Sequence, residues 1–290
     1  MAIDLGTTGV WSVDLRFGDA ALAADAATEL EQLGYSALWL PGWRADVFER
    51  VASLLKATSR MVVATGIVSV WDLSAAEATS SYAALTELHP GRFLLGLGIS
   101  HAMMVDRDSP GRYRRPVEVM SAYLDELDLV SPPVPVDERI IAALGPRMLR
   151  LAAARSTGTH PYLVTPEHSH TARQLLGPDR VVAPEQAVVL EEDPAKARQV
   201  GRSHLELYFQ LPNYVNNWRR LGYTDDDFTG GGSDRLVDGL VAWGDEGRVM
   251  DRLQAHHDAG ADHVCIQVLG AAAGAPPLPE LRRLAEALAG

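Results

Sequence analysis

The chain has 290 residues and a formal net charge of -12, and 47% of its residues are hydrophobic. This length suits one α/β barrel or two modest domains. Because the acidic balance is spread along the sequence, we expect neither nucleic acid nor a membrane surface as a partner. No apolar run approaches the roughly 20 residues that span a bilayer, and no secretory leader pattern is seen, so the sequence favours a cytoplasmic protein. Its single cysteine, Cys265, excludes an internal disulfide framework and is expected in a buried strand.

The run Asp-x-Gly-Thr-Thr-Gly, which starts at Asp4, resembles the phosphate-binding hairpin of sugar kinases and actin-like ATPases. Such a hairpin needs a strand before the turn and a partner strand after it. Here only three residues precede the motif, and helix-like sequence soon follows it. The sequence therefore predicts that residues 5–8 lead into the first strand of an alternating fold.

Strand-like and helix-like segments then alternate along the chain. Short, nearly continuous apolar runs separated by amphipathic segments are typical of a parallel sheet covered by helices. The predicted strands are residues 9–11, 37–41, 61–70, 93–100, 139–144, 160–164, 180–190 and 263–269. A long helical stretch is expected from Asp193 to about Gly222, and a polar, glycine-rich segment follows it.

Eight strands that alternate with helices predict an α/β fold, a TIM (β/α)8 barrel with an insertion before the last strand, in a single domain over residues 1–290. The alternative, a six-stranded doubly wound sheet, leaves two predicted strands without a place. We expect residues 211–234 to form a lid, with residues 230–232 as its hinge, or a contact for the tail of a ligand, or an interface segment. The hydrogen bonds and the charge for the first two roles would come from Asn213, Tyr214, Asn217 and Arg220.

Motifs for two common kinds of cofactor site are incomplete in this sequence. The run GLGISH at residues 96–101 has two glycines of a dinucleotide-binding fingerprint, but a histidine stands where the third small residue belongs. His160, His168 and His170 lack a local carboxylate–histidine signature. We therefore expect neither a Rossmann site nor a catalytic metal.

The assembled pattern resembles the luciferase-like flavin and deazaflavin oxidoreductases over nearly the whole chain. The resemblance is carried by residues 29–40, 58–67, 84–100 and 143–168. Its most specific piece is Glu-Leu-x-Pro-Gly-Arg-Phe-x-Leu-Gly-Leu-Gly at residues 87–98. The sequence is most similar to the actinobacterial branch that uses coenzyme F420 in place of FMN. The resemblance implies a TIM barrel that acts on a small molecule and forms a homodimer.

The resemblance places the central ring of the cofactor against strands three and four. Family members support this ring with a bulge that contains a non-prolyl cis peptide bond, which corresponds to Gly66-Ile67, directly after Thr65. Such a bond costs about 3 kcal/mol and survives only where the surrounding structure enforces it. A glycine bulge without the cis bond is the alternative. Gly96 and Gly98 would let the ring approach strand four or would permit tight barrel packing.

The resemblance places the cofactor phosphate near the loops after strands five and six. The matching residues are Gly145 and Pro146 in the first loop and Thr165, Glu167 and His168 in the second. The second loop leads into a helix, whose free N–H groups and dipole favour an anion. Because the Glu167 carboxylate would repel a phosphate, we expect it to point outward.

Histidines are the candidates for proton transfer, since histidine titrates in the useful pH range. His101 follows strand four at the position where the resembled sugar-phosphate dehydrogenases carry a functional glutamate. His160 on strand six is the second candidate, to orient the ring or the substrate. Those dehydrogenases also have an acidic residue and a histidine after strand two, where this chain has Pro41, Gly42 and Trp43. A phosphosugar substrate is therefore not expected.

A less polar substrate suits the aromatic residues near the predicted site. The predicted substrate pocket consists of Trp43, Trp71, Tyr214, Asn217 and Trp218. The leading hypothesis is hydride exchange between F420 and a small organic substrate. Two alternatives remain, an FMN-dependent monooxygenase on the same scaffold and a non-catalytic deazaflavin-binding protein.

Overall fold

Ten parallel strands form one curled sheet in the computed structural model, which describes residues 3–42, 46–107, 109–271 and 274–290. The strands in these ranges are β1 (Thr8–Trp11), β2 (Ala37–Gly42), β3 (Val62–Ser69), β4 (Phe93–Gly98), β5 (Arg139–Ile141), β6 (Gly158–Thr159), β7 (Val181–Val182), β8 (Glu185–Val189), β9 (Val241–Trp243) and β10 (Val264–Val268).

Helices connect the strands and begin where the sequence supplies caps. The α-helices are α1 (Val13–Phe17), α2 (Ala20–Gln32), α3 (Val47–Ala57), α4 (Ala75–Leu88), α5 (Ala102–Val105), α6 (Pro116–Leu129), α7 (Pro146–Arg155), α8 (Pro166–Leu176), α9 (Pro194–Leu205), α10 (Pro212–Arg220), α11 (Asp234–Leu240), α12 (Glu246–Asp258) and α13 (Leu278–Ala289). Short 3-10 helices lie at Val136–Glu138, Tyr208–Gln210 and Asp225–Phe228. The Asp19 carboxylate accepts from the first N–H groups of α2, and Ser74 and Glu77 form a capping box at α4. These side chains satisfy donors that the helix itself leaves unpaired.

The sheet curls so that β7, at one end of the strand order, lies next to β8, the strand before the other end. Its strand order is β7-β6-β5-β4-β3-β2-β1-β10-β8-β9, and only Ala183 and Pro184 separate β7 from β8 along the chain. The Ala183 N–H donates to Thr159 O at 2.9 Å on one side, and Pro184 O accepts from the Cys265 N–H at 3.0 Å on the other. The predicted α/β alternation around a sheet of the TIM-barrel type is therefore confirmed.

Two of the predicted strands are wrong in extent, and proline is the reason in both. The strand predicted over residues 180–190 is interrupted at Pro184, which has no N–H to donate. The strand predicted over residues 160–164 lies instead at Gly158–Thr159. Pro161 lacks a donor, and Leu163 has a φ of 52°, in the left-handed region, so the extended chain ends before them.

The helix predicted from Asp193 to Gly222 is in fact α9, a 3-10 turn and α10. Pro212 starts α10, a favourable position because the missing N–H would be unpaired there anyway. β9, which has three residues, was not predicted because so short a run carries no clear period. The role of residues 211–234 as an insertion, lid or interface stays a prediction.

The loop that was predicted as a hinge has a defined turn. Gly230, Gly231 and Gly232 have φ angles of 58°, 81° and 105°, which other residues rarely adopt. The buried carboxylate of Asp227 accepts from the Ser233 hydroxyl at 2.6 Å and so ties the two sides of the glycine run together.

Buried apolar side chains form one cluster inside the ring of strands and a larger one between the sheet and its helices. The inner cluster comprises Leu5, Trp11, Ala37, Trp39, Val62, Ala64, Leu94, Ile140, Ala183 and Cys265. Neighbouring residues such as Val10, Leu38 and Val63 face the outer cluster instead. This alternation follows from the two-residue period of a strand. Cys265 is fully buried, as predicted.

Candidate active site

The carboxyl ends of the strands carry an aromatic cluster, here named the mouth cluster, which consists of Trp11, Tyr162, Tyr208 and Tyr214. Trp11 ends β1 and Tyr162 follows β6, whereas Tyr208 and Tyr214 come from the segment after α9. The ring centroids of Trp11 and Tyr162 are 5.3 Å apart, those of Tyr162 and Tyr208 5.6 Å, and those of Tyr208 and Tyr214 4.9 Å. Both halves of the chain therefore meet at the end of the barrel where TIM-type folds carry their active sites.

The hydroxyl of Tyr162 is the centre of a polar chain within this cluster. It donates to Gln267 Oε1 at 2.7 Å, accepts from the Tyr208 hydroxyl at 3.3 Å and lies 3.3 Å from His204 Nε2. Burial raises the pKa of Tyr208 to about 12 and raises that of Tyr162 further. Burial also lowers the pKa of His204 to about 4. At neutral pH the whole chain is therefore uncharged and acts through hydrogen bonds.

His101 lies at the edge of the mouth cluster, directly before α5, with its ring centroid 5.4 Å from that of Tyr214. The Asn213 amide nitrogen is 3.3 Å from His101 Nδ1, 3.3 Å from Ser100 O and 3.2 Å from the Tyr113 hydroxyl. Since a carbonyl oxygen only accepts, this nitrogen is a donor, and its approach to Nδ1 favours the tautomer with the proton on Nε2. Burial lowers the pKa of His101 to about 4, so the ring is neutral at pH 7.

His160 lies inside the barrel, with 1% of its surface exposed. Its ring stacks on Trp39 with centroids 4.1 Å apart, and its Nδ1 donates to Ala183 O at 2.8 Å. Burial lowers its pKa to about 4. Its Nε2 is buried without a partner among the described residues. Trp39 covers one face of the ring, so His101 is the more exposed histidine of the predicted pair, and a role of His160 in orienting the ring or the substrate stays a prediction.

The predicted bulge in strand three is present. The pairing of β3 with β4 shifts register between Ala64 and Val68, so the intervening residues fall out of regular pairing. The predicted cis bond at Gly66-Ile67 is wrong, because the cis peptide bond in the described part of the chain is Ser131–Pro132. A non-prolyl cis bond costs about 3 kcal/mol, and the bulge here is formed with trans peptides.

Thr65 and the two glycines of β4 hold the bulged part of β3 close to β4. The Thr65 hydroxyl accepts from the Gly96 N–H at 2.7 Å and donates to Gly96 O at 2.9 Å, so a side chain supplies bonds that the bulged strand cannot make. A Cβ on Gly96 would lie 1.9 Å from Thr65 O, and one on Gly98 would lie 2.3 Å from Ile67 Cδ1. Both glycines therefore permit close packing of β3 on β4.

Trp11 occupies the space beside the bulge. A Cβ on Gly66 would lie 2.7 Å from Trp11 Nε1 and 3.1 Å from Leu40 O. The indole is 8% exposed, and its N–H has no hydrogen-bond partner among the described residues. A buried donor without a partner at the mouth of the barrel is a feature that a ligand acceptor would satisfy.

The predicted phosphate residues lie at the starts of two helices. Gly145 precedes α7 and has no side chain to cap it. Thr165 precedes α8, and its side chain makes no capping hydrogen bond. His168 is 2% exposed and donates from Nε2 to Leu144 O at 3.0 Å, while its Nδ1 has no partner in the described structure. Burial lowers the pKa of His168 to about 4, and the positive charge of Arg220 adds to this lowering. The Arg220 guanidinium lies against Gly145.

Two further predicted phosphate residues contribute differently. Pro146 is the first residue of α7 and has no N–H to offer an anion. Glu167 is exposed, and the Thr165 hydroxyl beside it lowers the pKa of its carboxylate, although the two form no hydrogen bond of normal geometry. The charge of Arg252 on α12 also lowers this pKa.

Sequence reasoning missed Glu185, a carboxyl group that is completely buried in the barrel. Burial raises its pKa to about 8, so it is protonated at pH 7. Its Oε2 accepts from the Leu163 N–H at 3.1 Å, and Leu163 O accepts from Trp218 Nε1 at 3.1 Å. The left-handed backbone at Leu163 is thus held from both sides by buried side chains, and this turn sets the position of Tyr162.

The predicted substrate residues are not gathered in one pocket. Tyr214 belongs to the mouth cluster, whereas Asn217 and Trp218 are almost completely buried in the core around α10. Trp71 donates to Ile99 O at 2.7 Å and lines a cavity of about 390 Å³ between the loop after β3 and α6. Trp43 lies outside the described residues.

The other residues that the sequence prediction missed are Trp11, Tyr162 and Tyr208. Trp11 directly ends a predicted strand, so its position gave a usable signal. Tyr208 comes from a segment far along the chain, and no local pattern places it at the barrel. Within the described ranges, no group of three His, Cys, Asp or Glu residues is arranged to hold a metal ion, and no helix is long and apolar enough to cross a membrane.

Known structures share this fold at low sequence identity. An F420-dependent secondary alcohol dehydrogenase in complex with an F420-acetone adduct is 14% identical, with a TM-score of 0.69 over 98% of each chain. The coenzyme F420 dependent tetrahydromethanopterin reductase from Methanopyrus kandleri is 15% identical, with a TM-score of 0.73 over 97% of each chain. The oxygenating constituent of 3,6-diketocamphane monooxygenase from Pseudomonas putida, a type II Baeyer-Villiger monooxygenase in complex with FMN, is 12% identical, with a TM-score of 0.68 over 98% of this chain and 96% of that one.

No curated protein sequence matches the chain. The family model for luciferase-like monooxygenases, however, matches residues 8–263, most of its length. The protein therefore belongs to the luciferase-like monooxygenase family.

Proposed function

We propose that the protein is an F420-dependent oxidoreductase that exchanges a hydride between the deazaflavin and a small organic substrate at the mouth cluster. Family membership supports an oxidoreductase, and two of the similar structures are F420-dependent enzymes by name. The observation that carries a site for a flat cofactor ring is the buried, unpartnered N–H of Trp11 beside the bulge of β3, and the choice of F420 rests on the sequence resemblance to the F420-dependent branch.

The residues at the mouth fit a flat ring that has hydrogen-bond acceptors along its edge. A buried donor without a partner costs about 1–3 kcal/mol, and a ligand that offers an acceptor to Trp11 recovers this free energy. Trp11, Gly66 and Ile67 would hold the ring, and the starts of α7 and α8 would hold the phosphate. When bound, the deazaflavin supplies one ring carbon that accepts or donates a hydride.

The protein's own part in the reaction is to orient the substrate and manage its proton. His101 is neutral at pH 7, and Asn213 favours the proton on Nε2, so this N–H is available to donate to a substrate oxygen. A neutral imidazole polarises a carbonyl without itself changing charge. The ring centroid of Tyr214 lies 5.4 Å from that of His101, so an aromatic side chain borders the place of this hydrogen bond.

FMN-dependent oxygenation is the second candidate. One of the similar structures is a monooxygenase in complex with FMN, and it matches the fold about as well as the F420-dependent enzymes do. The ring of FMN also has acceptors along its edge, so Trp11 and the bulge do not separate the two cofactors.

Calorimetric titration of the purified protein with F420 and, separately, with FMN tests the proposal. We expect saturable F420 binding that is tighter than FMN binding. The W11F variant should weaken F420 binding by about 5-fold, since it removes one hydrogen bond worth about 1 kcal/mol. W243F is the matched control, because the indole N–H of Trp243 on β9 already donates to Asp238 at 2.7 Å and so needs no acceptor from a ligand.

Each outcome of this titration separates the candidate functions. If the protein binds FMN more tightly than F420, an FMN-dependent oxygenase is favoured. The consumption of oxygen by the protein with reduced FMN would then be measured. Tight F420 binding without turnover of any alcohol or carbonyl compound would favour a non-catalytic binding protein. Binding of neither cofactor overturns the proposal, as does an equal loss in W11F and W243F.

A further inference from the structure

The cavity of about 390 Å³ beside Trp71 lies between the loop after β3 and helix α6. One wall consists of residues 70–74, and the other consists of Val119, Ala122, Tyr123 and Glu126 of α6. Among these described lining residues, none belongs to the mouth cluster. The volume lies within the range of about 300–1,000 Å³ that is typical of small-molecule sites.

A single face of α6 forms the helical wall of this cavity. Residues 119, 122, 123 and 126 follow the spacing i, i+3, i+4 and i+7, which places side chains on the same side of a helix. Val119 and Ala122 are apolar, and the loop contributes Val70, Trp71 and Leu73 to the other wall. The cavity therefore has apolar walls, with an acidic residue at the end of the helical row.

The hydroxyl of Tyr123 is an unsatisfied polar group of this wall. Tyr123 is 6% exposed, and its hydroxyl has no hydrogen-bond partner among the described residues. Burial raises its pKa, and the negative charges of Glu126 and Glu77 raise this pKa further, so the hydroxyl lies in a negative potential. Buried polar atoms without a partner are uncommon in folded proteins. The partner that a negative potential favours is a donor with a positive charge.

Glu126 differs from the other acidic residues of α6 because its charge is not paired. Each of the other three pairs with an arginine: Glu118 with Arg147, Asp125 with Arg155 and Asp128 with Arg139. In the described part of the chain, neither Glu126 nor Asp72 on the facing loop forms an ion pair, and no lysine or arginine lines the cavity. Two carboxylates at one cavity are thus free to pair with a cation.

The Trp71 ring already accepts a positive charge. The Arg112 Cζ lies 5.5 Å from the centroid of this ring, and Arg112 Nη2 donates to Trp71 O at 2.7 Å. Attraction between a cation and the face of an indole is favourable. The aromatic wall of the cavity is therefore compatible with a cationic ligand.

We propose that this cavity binds an organic amine, whose ammonium group pairs with Glu126 and donates to the Tyr123 hydroxyl while its apolar part packs between α6 and Trp71. An ammonium group has three N–H donors and so serves a carboxylate and a hydroxyl oxygen at once. Because Glu126 and Asp72 are exposed, the ion pair selects for charge and adds little affinity, and the apolar walls supply the rest. The inference goes beyond the proposed function and does not depend on it, since the mouth cluster takes no part in this site.

Titration of the full chain with phenethylamine, followed by the NMR signal of the Trp71 indole N–H, tests this site. The W71F variant assigns the signal, and phenethyl alcohol is the uncharged comparison ligand of similar shape. We expect a saturable shift with the amine and binding of the alcohol that is about 5-fold weaker, the upper range for an exposed ion pair. The same titration with A122F, which places a large side chain in the cavity from an exposed position of α6, should show no saturable shift with either compound.

Two matched pairs of measurements identify the polar groups. E126Q should weaken amine binding by about 5-fold and leave alcohol binding unchanged, whereas D125N, which removes a carboxylate already paired with Arg155, should stay within about 2-fold of wild type. Y123F should also weaken amine binding by about 5-fold. Its melting temperature without ligand should not fall, because the hydroxyl that it removes has no hydrogen bond to lose.

Four results overturn the inference. The first is the absence of a saturable Trp71 shift with the amine, and the second is equal affinity for the amine and the alcohol. The third is an equal loss of amine binding in E126Q and D125N, which would indicate general electrostatic attraction. The fourth is amine binding that A122F leaves intact, which would place the ligand elsewhere.

Discussion

Replacing His160 with phenylalanine should make the stability of the protein less dependent on pH. The phenylalanine keeps a flat ring against Trp39, which stacks on His160 with centroids 4.1 Å apart, but it removes the titrating group. Burial lowers the pKa of His160 from 6.5 to about 4, so in the folded protein the neutral form is favoured. The unfolded chain takes up a proton at higher pH, and the folded state is therefore destabilised as the pH falls below 6.5.

The size of this effect follows from the two pKa values. A histidine with a pKa of about 4 when folded and 6.5 when unfolded lowers the free energy of unfolding by about 2 kcal/mol between pH 7 and pH 5. The H160F variant lacks this contribution. Its stability at pH 7 also changes, because the hydrogen bond to Ala183 is lost, so the informative quantity is the difference between the two pH values.

Urea unfolding at pH 7 and pH 5, followed by circular dichroism, measures that difference. Between pH 7 and pH 5, the free energy of unfolding of H160F should fall by about 2 kcal/mol less than that of wild type. The same substitution at exposed His170 is the control and should leave the wild-type difference in place. If H160F loses as much stability as wild type, the histidine is not held neutral by burial and the reasoning is refuted.

Two more substitutions test the packing and the buried acid. G96A should destabilise the protein by about 3 kcal/mol, because the new Cβ would lie 1.9 Å from Thr65 O. Its control is G247A, at an uncrowded helical position, and an equal urea midpoint for G96A and wild type would contradict the packing. The pKa of Glu185 is raised from 4.5 to about 8, so between these values the folded state holds a proton that the unfolded chain releases. The wild-type free energy of unfolding should therefore fall by about 2–3 kcal/mol between pH 6 and pH 9 through this group. E185Q has no such proton and should lack this decrease. Persistence of the wild-type loss in E185Q, measured by urea unfolding across that range, would refute this assignment.

The alternation of strands and helices was predictable because each segment carries its own hydrophobic period. The same local information placed His101 at a strand end and Thr165 at a helix start, where the structure has them. The bulge at Gly66 was predictable only through the family resemblance, and its cis bond was not borne out. The hydrophobic period of each segment therefore indicated where the candidate site lies in the fold, but it did not give the detailed geometry of that site.

The position of His160 shows why strand boundaries matter for function. The predicted strand covered residues 160–164, but β6 ends at Thr159, before Pro161 interrupts the backbone donors. Residues two apart share a face of an extended chain, so the depth along the barrel, and not the face, separates His160 from Tyr162. His160 consequently lies in the inner core, and Tyr162, which was not predicted, occupies the mouth cluster.

The surroundings of Glu185 and Arg220 were not predictable for a different reason, although the sequence did mark Arg220 as a charge for a ligand tail. The contacts of each depend on groups distant in sequence: Glu185 on the Leu163 backbone and Arg220 on Gly145. An arginine at the end of a helix is ordinarily a favourable surface residue, because it faces the negative end of the helix dipole. Only the three-dimensional contact distinguishes Arg220 from Arg219.

Helix α10 connects the two parts of the candidate site. Asn213 near its start contacts His101, and Arg220 at its end lies against Gly145. At 1.5 Å per residue, the helix rises about 10 Å between these two residues. Trp218 anchors the helix by donating to Leu163 O, at the turn that also positions Tyr162. One short helix, held by a buried indole, thus spans the distance between the group proposed to handle the substrate proton and the start of α7, which is proposed to hold the phosphate. That distance is set by α10 and its anchor, whereas the barrel strands supply the surface on which both ends of the ligand would rest.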